Sequence, residues 1–156
     1  MVPRKGRTRM PVGIAVVFLC GWAVLSQSGC VMPPLQLGLR GTADQNNGGY
    51  AVQVYVYQLK KDTNFIREPL ESFWQDKGKA FESDLVAPPV DVVLAPNDSK
   101  ILPIPLYSET VFIGVAADFR KPNLQDWRQV FPVPARGLRE LVILVGRNGL
   151  RIESAR

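Results

Sequence analysis

The spacing of apolar residues changes character along this chain. Residues 11–25 (PVGIAVVFLCGWAVL) pass without a single charge. Beyond residue 35 a period of two takes over. Residues 35–40 (LQLGLR) alternate strictly, which predicts a half-buried strand. Residues 41–49 (GTADQNNGG) are polar and rich in turn formers, which predicts a loop. Residues 51–59 (AVQVYVYQL) carry the strongest strand pattern. Val52, Val54 and Val56 share one face, and Gln53, Tyr55 and Tyr57 share the other. The valines are expected in the core and the tyrosines half-covered. Residues 60–86 lose the alternation. Within them 67–77 (REPLESFWQDK) predict a short helix with Pro69 in its first turn and Leu70, Phe73 and Trp74 along one stripe, ended by Gly78.

Strands resume at 90–95, turn at Pro96-Asn97-Asp98 and continue at 101–106. There Pro103 and Pro105 recur at period two and mark an edge strand or an extended segment. In 110–118, Val111, Ile113, Val115 and Ala117 form one apolar face. Residues 128–133 are a short strand, and 138–145 (LRELVILV) are apolar on both faces, as a central strand is. Residues 146–149 (GRNG) predict a hairpin turn in which Asn148-Gly149 supplies positive φ, with 150–153 pairing back. The expected fold is all-β: a two-sheet antiparallel β-sandwich of seven to eight strands with a short helical insertion.

The N-terminus has a different logic. Arg4, Lys5, Arg7 and Arg9 precede the uncharged run, as in an export signal. That run is short of the ~20 apolar residues of a spanning helix. Next comes Ser26-Gln27-Ser28-Gly29-Cys30, and small residues directly before a cysteine resemble a bacterial lipoprotein signal. In that class the cysteine is lipidated and becomes the first residue of the mature chain. The expected organisation is a signal peptide at 1–29, a lipidated Cys30 with a short tether at 30–34, and a β-sandwich domain at 35–156. An uncleaved anchor with an incidental Cys30 is the alternative. Val31, in place of the aspartate that resembles an inner-membrane retention signal, favours the outer membrane. Pro33-Pro34 stiffens the tether and keeps the domain close to the membrane.

Composition narrows the function. At 46% hydrophobic and 21% charged residues the chain fits neither disorder nor a multi-span membrane protein. The formal charge is +5, but the signal holds four of the 19 basic residues and none of the 14 acidic ones. Its removal leaves a balance of +1, and the argument for nucleic acid goes with it. There is no histidine, so imidazole metal sites, Ser-His-Asp and Cys-His catalysis and a histidine pH switch are excluded. Cys20 leaves with the signal and Cys30 carries lipid, so no thiol remains for a disulfide or a nucleophile. Glu68 and Glu71 fall at i, i+3 on the predicted helix and read as a solvated face rather than an acid/base pair. No catalytic residue and no metal ligand is assigned. The one attached group is the lipid on Cys30, and no small-molecule substrate is expected.

From Val54 to Lys60 (VYVYQLK) the chain resembles the lipoprotein of type VI secretion systems, the TssJ (SciN, VasD) family. Other features agree in order: Leu35, Leu37 and Leu39 soon after Cys30; Asn46, Asn47 and Gly49 before the strand; Phe65; Phe73-Trp74; Asp84-Leu85-Val86; Leu94-Ala95-Pro96; residues 112–120 (FIGVAADFR); and Trp127-Arg128. The resemblance spans nearly all of the mature chain. It implies a β-sandwich of transthyretin-like topology, anchored by lipid in the outer membrane and facing the periplasm. It also implies binding to the periplasmic C-terminal region of the inner-membrane protein TssM, in a complex that includes TssL.

Two candidate contact regions follow. The loop of Thr42, Ala43, Asp44, Gln45, Asn46, Asn47, Gly48 and Gly49 joins two confident strands, and long polar loops at a sandwich end carry recognition. The resemblance points to the same loop. Asp44, Gln45, Asn46 and Asn47 are its expected hydrogen-bonding groups, presented on a free tip. Arg120, Trp127 and Arg128 form a second candidate, because Trp and Arg anchor interfaces; Trp127 is equally suited to the core. A competing function class is a periplasmic lipoprotein that binds peptide or glycan in a concave pocket, or a subunit of another envelope machine.

Overall fold

The computed structural model describes residues 33–76, 78–135 and 137–156. The expected signal segment 1–29, the expected acylation residue Cys30 and the start of the expected tether lie outside the described residues. Eight strands run in chain order as β1 (Leu35–Gly41), β2 (Val52–Leu59), β3 (Val90–Leu94), β4 (Ser99–Ile104), β5 (Phe112–Asp118), β6 (Arg128–Pro132), β7 (Glu140–Val145) and β8 (Leu150–Ala155). They form two four-stranded sheets, ordered β4-β1-β7-β8 and β3-β2-β5-β6. The sheets face each other through Leu35, Leu37 and Leu39, Val52, Val54 and Val56, and Leu141, Ile143 and Val145, all buried. These are the alternate positions of three period-two segments, so one strand periodicity fills both inner faces. β4 is an edge strand, as Pro103 predicts, and β7 is central.

One pairing departs from the antiparallel expectation. β1 lies parallel to β7, with Gln36 beside Glu140 and Gly41 beside Val145. Between them the chain crosses to the other sheet and returns, the long connection a parallel pair requires.

The segment between β2 and β3 folds into three short pieces: α2 (Thr63–Arg67), α3 (Leu70–Asp76) and a 3-10 turn (Lys79–Asp84), which follow a single helical turn, α1 (Gln45–Gly48). The helix expected over 67–77 is present as α3 and begins only at Leu70. Glu68 is extended (φ −60°, ψ 126°), because the ring of Pro69 disfavours helical geometry in the residue before it. Glu71 consequently lies on α3, whereas Glu68 lies in the bend between α2 and α3.

The three pieces cover the outer face of the second sheet. Tyr57, Phe65, Phe73 and Phe81 interlock with ring centroids 5.3–6.0 Å apart, and Trp127 meets Phe73 edge-on at 4.8 Å. Tyr57 is fully buried here rather than half-covered, and the Phe65 ring lies against Gly114 of β5. At Gly114 a Cβ would approach Phe65 Cζ to 2.9 Å and Leu59 Cδ1 to 3.1 Å, so only glycine lets α2 lie this close.

Candidate partner-binding site

All four interstrand connections that follow β1, β3, β5 and β7 meet at one end of the sandwich. β1 runs from the tether side to that end: Leu35 starts it and Gly41 opens the candidate loop. Seven strand residues place the two ends about 20 Å apart.

The loop is built inward as much as outward. Gln45 and Asn46 are buried. The Gln45 amide donates to Leu94 O (2.8 Å) and Tyr50 O (3.1 Å), which ties the loop to β3 and to the entry of β2. At Gly41 a Cβ would fall 2.2 Å from Gln45 Oε1 and 2.8 Å from Ala95 O, so the absence of a side chain there admits the amide. The Asn46 side chain donates to Ala51 O (2.7 Å) and accepts from the Arg120 backbone N–H (2.7 Å). Asn46 and Asn47 both adopt left-handed backbone (φ 51° and 61°), which asparagine tolerates better than most residues. The expectation that Gln45 and Asn46 offer hydrogen bonds on a free tip is corrected: both side chains point inward, their amide nitrogens and the Asn46 oxygen bond to backbone groups, and Gln45 Oε1 is buried without a hydrogen-bond partner.

Those bonds lock three connections together. Asn47 N–H donates to Arg147 O (2.7 Å), and the Asn47 side chain donates to Lys121 O (3.1 Å). Asn123 N–H donates to Asn148 O (2.7 Å), and Leu150 N–H to Asp126 O (2.6 Å). The turn 146–149 closes through Gly146 N–H to Gly149 O (2.9 Å). Neither Asn148 nor Gly149 has the positive φ expected of it, since the 119–127 connection holds the hairpin from outside.

Outward at this end are Ala43, Asp44, Gly48, Tyr50, Arg120, Lys121 and Arg147, together with Asp118, Leu124, Gln125 and Asn148, while Thr42, Asn47 and Gly49 are half-buried. Asp44 accepts from Thr42 Oγ1 (2.8 Å) and Arg147 Nε (3.1 Å), and these two bonds hold its carboxyl below the ordinary range. The Arg120 guanidinium lies 4.2 Å from the centre of the Tyr50 ring. Asn47, Tyr50, Arg120, Lys121 and Arg147 line an open cleft. Tyr50, Lys121 and Arg147 have no local sequence pattern that marks them; packing of three separate connections brings them together.

The second candidate region divides. Arg120 belongs to this end and faces solvent. Trp127 is 2% exposed in the aromatic layer and is core, not a contact residue. Arg128 is half-buried: its guanidinium donates to the carbonyls of Phe65, Ile66 and Glu68 and lies 4.4 Å from the Trp127 ring centre. It satisfies carbonyls at the C-terminal end of α2 that the helix itself leaves unpaired. Burial lowers the guanidinium from its ordinary pKa, opposed by the Glu68 carboxylate.

Among the described residues no group of three or more His, Cys, Asp or Glu side chains is placed to hold a metal ion. The site is a rigid, polar, cation-bearing end surface. Its chemistry is that of recognition by hydrogen bonds, charge and one exposed aromatic ring.

Comparison with known proteins supplies the family. The profile of the type VI secretion lipoproteins (VasD, EvfM, TssJ) matches residues 35–148, well over half of the chain. No curated protein matches it in sequence. Among solved structures it is similar to the type VI secretion lipoprotein TssJ1 from Pseudomonas aeruginosa, at 27% identity and a TM-score of 0.69 over 80% of this chain and 98% of that one. A chain in the structure of the type VI secretion protein TssM C-terminal domain from EAEC matches at 26% identity and a TM-score of 0.67, covering 79% of this chain and 99% of that one. A chain of a type VI membrane complex matches at 26% and 0.69, with 79% and 99% covered. The two-sheet fold, the ordered motifs and the profile agree, and the chain belongs to the type VI secretion lipoprotein family of TssJ and VasD.

Proposed function

We propose that this chain is the outer-membrane-anchored lipoprotein of a type VI secretion membrane complex, and that it tethers the complex by binding the periplasmic C-terminal region of TssM. In this reading residues 1–29 are removed on export, Cys30 carries the lipid, residues 30–34 are the tether and the 35–156 domain faces the periplasm, in a complex that also contains TssL. Val31 after Cys30 supports outer-membrane sorting. The protein works as a docking module without catalysis or a small-molecule ligand.

The observation that carries the reading is the position and stiffness of the loop end. It lies at the far end of β1 from the tether, and backbone and side-chain bonds lock its connections into one surface. A surface ordered before docking loses little conformational entropy on binding. Family membership supplies the system, and the likeness to a chain in the TssM C-terminal domain structure supports the partner. The contact residues are Thr42, Ala43, Asp44, Asn47, Gly48 and Gly49 with Arg120, while Gln45 and Asn46 hold the loop in shape.

The test is binding of the full chain, in detergent, to the TssM periplasmic C-terminal region by calorimetry. Ala43 is exposed on the loop, and Ala43→Arg is expected to weaken the complex at least tenfold. Ser108 is exposed in the connection between β4 and β5, at the opposite end, and Ser108→Arg is expected to leave affinity unchanged. The reverse pattern, or no binding by the unaltered chain, overturns the proposal.

A further inference from the structure

We propose that the cleft between Tyr50, Arg120, Lys121 and Arg147 receives an acidic polypeptide segment of the docking partner. This rests on the docking function proposed above and names the chemistry of what docks.

The argument begins with local charge. Three cations from two connections, Arg120 and Lys121 on one and Arg147 on the other, line this cleft with Asn47 and Tyr50. The carboxylate bonded to the group is Asp44, engaged by Arg147 at 3.1 Å. Neither Arg120 nor Lys121 has a carboxylate partner among the described residues. The lining of the cleft is thus cationic, although Asp98, Asp118 and Asp126 also lie at this end of the sandwich.

The cations are also held in place. Arg120 is pinned at its backbone N–H by the buried Asn46 side chain and at its guanidinium by the Tyr50 ring. Lys121 is pinned at its carbonyl by Asn47. A guanidinium that lies over a ring by its face keeps its in-plane N–H groups for a carboxylate, which it can pair in two-point fashion. Tyr50 is 52% exposed and adds flat apolar area beside the charges, which suits a peptide with an apolar residue near its carboxylates.

The source of the anion follows from position. A cationic surface also fits anionic lipid. This one, however, lies about 20 Å along β1 from the residue that continues the tether, at the end away from the anchored side. A protein segment reaching across the periplasm meets it there; the headgroups of the anchoring membrane do not. Charge of this kind acts mostly on encounter rate and salt dependence.

The experiment measures association kinetics of the full chain in neutral detergent with the TssM periplasmic C-terminal region, for the unaltered protein and for Arg120→Glu/Lys121→Glu. Both side chains are exposed, and the Asn46 bond to the Arg120 backbone is retained, so an unchanged melting temperature serves as the fold control. The expected result is an association rate at least tenfold lower in the variant. The unaltered protein should also lose rate steeply as salt rises, and the variant should not. Equal rates and equal salt dependence in both proteins overturn the inference while leaving the docking function standing. So does a variant that keeps TssM kinetics but loses binding to phosphatidylglycerol-doped micelles, which would assign the cleft to lipid. No TssM binding by the unaltered protein overturns the docking function itself.

Discussion

Single side chains decide the shape of the loop end, and Asn46 is the clearest case. It combines a left-handed backbone with two part-buried hydrogen bonds of 2.7 Å, one donated and one accepted by the same short side chain. Asn46→Ala is expected to cost about 2–4 kcal/mol, from two buried groups left unpaired and the backbone strain of alanine at positive φ. Chemical denaturation measures this, and a loss below half a kcal/mol would contradict the hub role. Tyr57 carries the second residue-scale prediction. Burial pushes its phenol far above the ordinary value of 10.0, with Tyr55 adding to the shift. A raised folded-state value means that stability is fully present below the ordinary value and is lost as pH rises past it, because the unfolded chain ionises first. Melting temperature should therefore decline from about pH 10 upward, less so in Tyr57→Phe; identical alkaline profiles for the two proteins would contradict it. The sequence shows Asn46, Asn47 and the glycines as turn formers. It does not show that Gln45 and Asn46 point inward, because a polar side chain in a polar loop carries no period that distinguishes solvent from a buried carbonyl.

At the scale of elements, the strands were legible wherever one face is buried, since alternation records that burial directly. Val52, Val54 and Val56 are the example. Tyr57 misleads because its face is covered by a separate helical layer, which the strand's own pattern does not contain. The helix expected over 67–77 starts only at Leu70 because Pro69 keeps Glu68 extended, a local steric effect. The turn at 146–149 follows its neighbours instead of its own Asn-Gly preference, a local signal overridden by packing. Arg128 links this layer to the sheet: from β6 it reaches the carbonyls of Phe65, Ile66 and Glu68. Arg128→Ala should destabilise the protein by about 2–4 kcal/mol, since hydrogen bonds of a charged group contribute more than neutral ones. Arg128→Lys should recover little of it, because an ammonium lacks the planar fork that reaches several carbonyls at once. Denaturant midpoints of the two variants decide this; full recovery by lysine would reduce the role to charge alone.

For the whole molecule, the two-sheet architecture follows from the strand count and the alternation, whereas the parallel alignment of β1 with β7 does not. Pairing partners more than a hundred residues apart leave no trace in either segment's own period. The same holds for the cationic cleft, whose residues come from connections that only the finished fold brings together. In the proposed function the domain docks its partner through the end of β1 away from Leu35, and Cys30 carries the lipid. Cys30→Ser should abolish labelling by a fatty-acid probe, and retained label would refute the anchor assignment. The most direct test of the central claim is hydrogen exchange of the full chain, in detergent, with and without the TssM periplasmic C-terminal region. Slowed exchange confined to 42–50, 119–126 and 146–149 is the predicted result. Protection at the tether-side connection 105–110 or along the edge strand β4, with the loop end unchanged, would contradict it.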